Sequence, residues 1–324
     1  MQPEQKALYK RLRHEFGVSA IVLLVYYAIM NAAVALVDIV DAVAYTLISI
    51  MTCPSYSVDA LVNELVDRLL GNGWGYALAV AIGLLLLLVW KKPRAFRAYT
   101  RVEKPMTVRA FSGLFSLVIA AQLVFTVLYV VVEFFLNLVG LSAESSAQAA
   151  SGGADTFSMF LYAGLLAPIS EEILFRGLIL RSLEPYGRKF AVFASAFLFG
   201  LFHGNIVQSP YAFVVGLVLG YTAIEYSIGW AMLLHMFNNL ILGDTLPRLL
   251  SPLPELVQEA AIYGIIVVCA LVGLVYLAVE RHAVADYFTK KRIHPVCLKC
   301  FFTSPAVIAL GIIMVFNMLM VLFL

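Results

Sequence analysis

Long apolar runs recur along the chain, and short polar segments separate them. Several runs reach the length of about 20 residues that a helix needs to cross a hydrocarbon layer about 30 Å thick. The pattern predicts nine spans, at 18–37, 74–90, 111–136, 157–178, 190–207, 211–228, 230–246, 260–279 and 304–324. The span at 230–246 is short and polar, so we expect it to be tilted, broken or supported by neighbouring helices. The predicted fold class is all-α, a polytopic transmembrane bundle of about eight or nine spans.

Composition points the same way. Hydrophobic residues make up 62% of the 324, and charged residues make up 13%, against about 25% in an average soluble domain. A water-soluble core cannot bury that apolar excess, so we expect the lipid bilayer as a partner and no nucleic acid. The formal net charge of +2 says little about other partners.

The distribution of Lys and Arg predicts how the chain is oriented. If the loops alternate from a cytoplasmic N-terminus, 19 of the 22 basic residues fall on the cytoplasmic side. Basic residues set orientation by staying in the cytoplasm, so this asymmetry favours an inside N-terminus and an outside C-terminus. Trp74, Trp90 and Trp230 fall at predicted span ends, as an interfacial aromatic belt requires.

Two polar segments fall on the predicted outer side. In VDALVNELVDRLLG, at 58–71, apolar positions follow helical spacing, which predicts an amphipathic helix. Its polar face is mostly acidic, so we expect it to pack on the outer side rather than bind anionic lipid. The stretch SAESSAQAASGGAD, at 142–155, is small and polar and predicts a flexible loop.

Three charges interrupt the apolar stretch LAPISEEILFRGLIL at 166–180. An ionised residue at mid-membrane costs about 2.5 kcal/mol or more, and such residues usually face a bundle interior or a wet cavity. Glu172 and Arg176 are four residues apart, so they share a helix face and can pair. Glu171 lies about 100° round the helix and is left without that partner.

Two histidines lie inside predicted spans and can reach these charges. His203 lies in FLFGLFHGN, and His235 lies in LLHMFNN with Asn239 one turn further along the same face. Counted at about 1.5 Å per residue from the same side of the membrane, Glu171, His203 and His235 can meet in one buried site. A carboxylate, two imidazoles and an amide form a coherent hydrolytic set, because they can activate water and stabilise an oxyanion.

Glycines on two successive spans predict close packing around this site. Gly200 and Gly204 form a small-xxx-small pattern that brackets His203, and Gly216 and Gly220 repeat it on the next span. Such patterns let helix backbones approach each other, although they say nothing alone about chemistry.

The order of these motifs resembles a known family. The motifs are E-E-x-x-x-R at Glu171, Glu172 and Arg176, F-x-x-x-H at Phe199 and His203, and H-x-x-x-N at His235 and Asn239. This arrangement resembles the CAAX prenyl protease and bacteriocin-processing or immunity (Abi) family of intramembrane glutamic endopeptidases. The resembling membrane domain covers 110–246. It leaves an N-terminal region at 1–109, with two spans, the amphipathic helix and a basic loop, and C-terminal spans at 247–324.

The resemblance implies a role for each motif residue. Glu171 is expected to be the base that activates water, with His203 helping to hold that water. His235 and Asn239 are expected to form the oxyanion-stabilising pair. The supporting residues that the resemblance implies are Glu172, Arg176 and Phe199.

The expected function is cleavage of a membrane-associated peptide or protein, of a prenylated or bacteriocin-like kind. We expect no cofactor, although a catalytic divalent metal such as zinc stays open. Short loops and the lack of organelle signals favour a prokaryotic plasma membrane. The sequence does not indicate the oligomeric state.

The same residues are compatible with other classes of function. A zinc protease could use Glu and His, but H-E-x-x-H is absent. A proton- or ion-coupled transporter could use Glu133 and Glu225 with the site residues, and an immunity protein could bind a peptide without cutting it. His294, Cys297 and Cys300, in HPVCLKC, could begin a structural zinc site, although such sites usually need four ligands. Two reduced cysteines beside the membrane are the simpler interpretation.

Overall fold

The computed structural model describes residues 3–52, 57–99, 101–151, 156–289 and 293–322. Every regular element in these ranges is helical. The helices are α1 (Pro3–Thr52), α2 (Val58–Leu70), α3 (Trp74–Tyr99), α4 (Val108–Ala120), α5 (Gln122–Asn137), α6 (Glu144–Ser151), α7 (Phe157–Leu161), α8 (Ala167–Glu172), α9 (Arg181–Leu183), α10 (Arg188–Phe202), α11 (Gln208–Glu225), α12 (Ile228–Phe237), α13 (Leu246–Leu250), α14 (Glu255–Val279), α15 (Arg281–Thr289), α16 (Pro295–Phe302) and α17 (Pro305–Val321). Three π-helical segments join some of these helices: π1 (Tyr162–Leu166), π2 (Ile173–Leu180) and π3 (Asn238–Thr245).

Four helical stretches in the described ranges are long and apolar enough to cross a membrane. They are Glu4–Thr52, Val58–Trp90, Val108–Asn137 and Glu255–Val279. A fifth is added if α16 and α17, which are bent by 58° relative to each other, form one broken span. The fold class, an all-α membrane helix bundle, is confirmed. The count of eight or nine spans stays a prediction, because the helices between 157 and 246 are short or interrupted by π-helical turns.

Several helices extend beyond the apolar runs that predicted them. α1 has 50 residues, so it is about 75 Å long and continues well past both ends of the predicted span 18–37. α3 likewise continues to Tyr99, inside the predicted basic loop. The extension before residue 18 is basic and polar and therefore escapes a hydropathy pattern. Beyond residue 37 the chain stays largely apolar to Thr52, and the predicted span ended early because Asp38 and Asp41 interrupt the apolar run.

Both polar segments predicted on the outer side form helices, although only the first was predicted to do so. The amphipathic helix is confirmed as α2, which begins after Ser57, whose side chain accepts a hydrogen bond from the amide of Ala60. The expected loop at 142–155 is wrong for 144–151, which form α6, and residues 152–155 lie outside the described residues. Glu133 explains part of this difference, because its carboxylate accepts a hydrogen bond of 2.6 Å from the Ala143 amide and holds the start of α6.

The glycines on α10 and α11 let these two helices pack closely. A Cβ on Gly200 would lie 2.6 Å from the carbonyl oxygen of Ser209, and a Cβ on Gly216 would lie 3.1 Å from Ala196. Both distances are shorter than ordinary van der Waals contact. The predicted small-residue packing is therefore present between α10 and α11, on the side where Phe199 lies.

Gly204 has a different role from the one its spacing predicted. It follows the end of α10 with φ of +57°, a backbone conformation that favours glycine. A Cβ there would approach the side-chain amide of Asn317 in α17. The predicted span 190–207 accordingly ends early, since α10 stops at Phe202 and His203 occupies its C-terminal cap.

A core of buried aromatic side chains joins the ends of the chain to the central helices. Phe16 of α1 packs against Phe190 of α10 with ring centroids 5.0 Å apart. Phe301 of α16 packs on Phe190 and Phe197 at 6.0 Å. Both flanking regions thus help to hold α10, the helix that carries Phe199 and ends at His203.

Candidate active site

The first site helix is continuous from Phe157 to Leu183 but contains two π-helical stretches, π1 and π2. Such i→i+5 turns are rare and are frequent at functional sites. Glu171 and Glu172 lie at the end of α8, between the two stretches. A third stretch, π3, begins directly after α12, which carries His235.

The π1 stretch has a local cause. The amide of Ala167 donates to the carbonyl of Tyr162, five residues earlier. The next amide position is Pro168, which has no N–H. The carbonyl of Ala163 consequently loses both helical donors, and it accepts a hydrogen bond of 2.9 Å from the side-chain amide of Asn239 instead. This bond ties π1 to the start of π3.

A fully buried ion pair lies at the centre of the site. Arg176 donates to Glu172 Oε1 at 2.7 Å, and both side chains have 0% exposure. The guanidinium also donates to the carbonyl of Gly216 at 3.3 Å and stacks 4.3 Å above the ring of Phe199. The predicted pairing of Glu172 with Arg176 is confirmed. Arg176 thus places its guanidinium directly against the Glu172 carboxylate at a position closed to solvent.

His235 lies between two carboxylates. Its Nδ1 is 3.0 Å from Glu172 Oε1, and its Nε2 is 3.8 Å from Glu171 Oε2. The first distance is that of a hydrogen bond, whereas the second is too long for one. Glu172 also has Arg176 as a partner, while the Glu171 side chain is 19% exposed. The two adjacent glutamates therefore occupy different environments.

His203 is held in one orientation beside these groups. Its Nδ1 lies 2.8 Å from the carbonyl of Phe199, so Nδ1 carries the proton and Nε2 is left as an acceptor in the neutral ring. The Phe199 ring meets the imidazoles of His203 and His235 edge-on, at 4.8 and 5.7 Å between centroids. Glu171 and His235 both interact electrostatically with His203. The structure thus brings six of the seven predicted motif residues together, whereas the contacts of Asn239 are with Asn238 and Ala163.

Asn239 belongs to a hydrogen-bonded chain that the sequence did not reveal. Gln122 donates to the Tyr211 hydroxyl at 3.0 Å, and that hydroxyl donates to Asn238 Oδ1 at 3.0 Å. The Asn238 amide donates to Asn239 Oδ1 at 3.1 Å. Since Asn239 also donates to Ala163, its carboxamide is held at both ends, and one amide hydrogen remains for a further acceptor.

Tyr26 and Tyr162 also lie near Glu171. Tyr26 of α1 and Tyr162 both interact electrostatically with Glu171. Tyr162 stacks on Tyr76 of α3 with centroids 4.7 Å apart. Neither tyrosine belongs to a recognised motif, and only their position in apolar spans could have hinted at them.

The remaining candidate groups have other partners. The Glu133 carboxylate accepts hydrogen bonds from the Ser142 hydroxyl and the Ala143 amide. Glu225 forms an ion pair with Lys104 at 3.1 Å. His294 caps α16 by accepting from the Val296 amide at 3.2 Å. Cys297 and Cys300 are free and buried in the core beside α1 and α10. Throughout the described ranges, no group of three or more His, Cys, Asp or Glu side chains is arranged to hold a metal ion.

One segment of the chain matches a known family. Residues 153–241 match the family model of the type II CAAX prenyl endopeptidase Rce1-like proteins. The matched segment contains all seven predicted site residues, from Glu171 to Asn239, so the resemblance drawn from the motifs is confirmed. At family level it supports a CAAX-type intramembrane endopeptidase. No curated protein and no solved structure matches the chain.

Proposed function

We propose that this protein is an intramembrane endopeptidase in which Glu171 activates water to cleave a peptide bond of a membrane-associated substrate. The observation that carries the proposal is the position of His235 between two carboxylates in different environments, 3.0 Å from Glu172 and 3.8 Å from Glu171. Adjacent carboxylates with separate environments are a recurrent way to divide structural and acid–base roles.

In this scheme Glu172 orients the site and Glu171 performs the chemistry. Arg176 pairs with Glu172, and Glu172 in turn fixes His235 through Nδ1. This resembles the second-sphere carboxylate that orients an imidazole in other enzymes. Among the described residues, no arginine lies at hydrogen-bonding distance from Glu171. Because the Glu171 side chain is also partly exposed, its carboxylate can accept a proton from water.

The attacking water would lie between Glu171 and His203. It donates one hydrogen to the Glu171 carboxylate and the other to Nε2 of the His203 ring. The Nδ1–H of that ring donates to the carbonyl of Phe199. The water oxygen then bonds to the substrate carbonyl carbon while Glu171 takes the proton. Glu171 passes that proton to the leaving nitrogen when the carbon–nitrogen bond breaks.

The oxyanion of the tetrahedral intermediate would be stabilised by His235 and Asn239. His235 would donate Nδ1–H to Glu172, while its Nε2, 3.8 Å from Glu171, would donate to the oxyanion when the ring is an imidazolium. Asn239 adds its second amide hydrogen. Each such donor aligned in advance contributes about 2.7–4 kcal/mol in comparable sites. The scheme uses no metal ion, and activity that disappears on chelation and returns with zinc would contradict it.

The substrate class follows from the surroundings of the site. The catalytic groups are enclosed by apolar helices, so a substrate has to enter from the membrane or its surface. We therefore propose a membrane-associated peptide or protein as the substrate, and the family resemblance supports a prenylated or bacteriocin-like kind. The short loops and the distribution of Lys and Arg support a prokaryotic plasma membrane with the N-terminus of the protease in the cytoplasm.

The test compares new peptide termini in membranes from cells carrying the wild-type protein, Glu171→Gln or Glu259→Gln. Glu259 is exposed on α14 and serves as the matched control. Termini present with the wild type and Glu259→Gln but lost with Glu171→Gln would support proteolysis and identify the substrate. Identical termini in all three strains would contradict the proposal and favour a binding or transport role.

A further inference from the structure

A basic cleft lies between the N-terminal segment of α1 and the junction of α16 with α17. It has a volume of about 800 Å³. This basic cleft consists of its cationic lining residues and of the α16–α17 junction that closes it. The cationic residues are Lys6, Lys10, Arg13 and Lys299, with His14 beside them. Among the described residues, those that line the cleft include no Asp or Glu. A cleft lined by one sign of charge concentrates ligands of the opposite sign.

The chain builds this cleft from one helix face. Positions 6, 10, 13, 14, 17 and 21 all line it, and their spacing places them on the same side of α1. Along about 22 Å of this face the lining changes from Lys6, through Gly17, to the apolar Ile21. Ile21 is 48% exposed, as is typical of a residue that faces lipid. The cleft therefore spans the level at which α1 passes from a basic to an apolar surface.

α17 begins at the same level. A Cβ on Gly17 would lie 2.7 Å from Ser304 Oγ, so the two helices are in direct contact there. Ser304 is the N-terminal cap of α17, yet its hydroxyl donates to the carbonyl of Arg13 at 2.9 Å and makes no cap hydrogen bond. Pro305 and Ala306 line the cleft. The first turn of α17 thus adds its partial positive charge to the four cations.

Two contacts hold the cations at the cleft. The Arg13 guanidinium donates through Nε and a terminal nitrogen to the carbonyl of Thr303, which fixes it against the α16–α17 junction. Lys299 lies 5.7 Å from the ring centroid of Tyr9. Neither partner is a carboxylate, so both cations keep their charge available to an anion in the cleft.

From these features we infer that the cleft binds the phosphate of an anionic phospholipid. The basic end matches the headgroup, and the exposed apolar surface that begins at Ile21 matches the acyl chains. A soluble phosphate compound would use only the first of these. Basic residues beside membrane spans are known to recognise anionic headgroups by this electrostatic attraction. The inference does not depend on the proposed protease activity.

The test measures lipid binding to the purified full chain by native mass spectrometry, with phosphatidylglycerol as the anionic probe and phosphatidylcholine as the neutral one. The cleft variant combines Lys6→Gln, Lys10→Gln and Lys299→Gln. The matched control removes the same charge at exposed positions outside the cleft lining, with Arg11→Gln, Arg101→Gln and Arg281→Gln. The conservative variant carries Arg at the three cleft positions.

We expect the cleft variant to bind phosphatidylglycerol about tenfold more weakly or worse, while the control and conservative variants keep wild-type affinity. Phosphatidylcholine binding should be equal in all four proteins. Equal losses in the cleft and control variants would overturn the inference, because they would show general attraction to positive charge. Displacement by glycerol 3-phosphate at equal concentration would overturn the lipid assignment and indicate a soluble phosphate ligand. Thermal unfolding midpoints without added lipid check that the variants are folded.

Discussion

At the scale of single residues, the site depends on a buried charge pair that the sequence predicted correctly. Glu172 and Arg176 are four residues apart, and this spacing brought them together even though a π-helical stretch begins between them. The prediction was correct because two opposite charges in an apolar helix are stabilised best by pairing with each other. The placement of Asn239 was harder to foresee, because the π-helical turn at Asn238 directs its amide to the carbonyl of Ala163.

Arg176→Met is expected to lower the free energy of unfolding by about 3–5 kcal/mol. The substitution keeps the apolar stem but leaves Glu172 buried without its cation. Chemical denaturation in detergent micelles measures the loss. The double variant Glu172→Gln with Arg176→Met should recover a large part of it, since no unpaired charge remains. A single variant as stable as the wild type would contradict the assigned burial of the pair.

Tyr211→Phe tests the hydrogen-bonded chain that reaches Asn239. Removing the hydroxyl deprives Asn238 of a donor and Gln122 of an acceptor, which should cost about 1 kcal/mol of stability. Because Asn239 then loses its orientation, we expect kcat for the identified substrate to fall while KM changes little. Tyr263→Phe, on the exposed face of α14, is the matched control. Equal kinetics for the two variants would show that Tyr211 acts only in packing.

At the scale of helices, glycine patterns predicted close packing but not which glycine provides it. Gly200 and Gly216 face the neighbouring helix, whereas Gly204 ends α10 in a left-handed turn. The sequence contained a signal for that turn, because a glycine in the left-handed conformation commonly ends a helix. Gly204 also completes the small-xxx-small spacing, which indicates helix packing. The same residue therefore supported two interpretations, and the spacing favoured packing over a turn.

Gly200→Ala is expected to destabilise the protein by about 1–3 kcal/mol. Its Cβ would lie 2.6 Å from the carbonyl oxygen of Ser209, and a backbone atom cannot move aside without separating α10 from α11. Gly264→Ala is the control in α14, where the added methyl group would meet no described atom within 4 Å besides its chain neighbours and the backbone of its own helix. There we expect a gain of about 0.4–1 kcal/mol. Thermal unfolding of both variants measures the difference, and equal shifts would show that α10 and α11 are not in tight contact.

At the scale of the whole molecule, apolar runs predicted the helical membrane fold but not the extent of its elements. α1 continues beyond its predicted span at both ends, and the stretch between 157 and 246 divides into several helices and π-helical turns. These short pieces are stabilised by neighbours such as Phe16 and Phe301 from the two ends of the chain. Contacts of that kind are distant in sequence, so no local pattern reports them.

The length of α1 allows the predicted orientation to be tested within one helix. Leu8 lies near its basic end, and Val62 lies on α2, which is attached to the far end of α1 by the pair Arg68–Asp41 at 2.8 Å. The two positions are exposed, and the helix between them is longer than the hydrocarbon layer is thick. They should therefore lie on opposite sides of the membrane.

We expect a membrane-impermeant maleimide to label Val62→Cys in intact cells and to leave Leu8→Cys unlabelled, in a background where the four native cysteines are replaced by alanine. The reason is the concentration of basic residues around Leu8, which keeps that end of α1 in the cytoplasm. Both positions should react after the membrane is permeabilised, which controls for accessibility. The reverse pattern would invert the orientation, and the basic cleft would then face the outer leaflet. Labelling of both positions in intact cells would show that α1 does not cross the membrane.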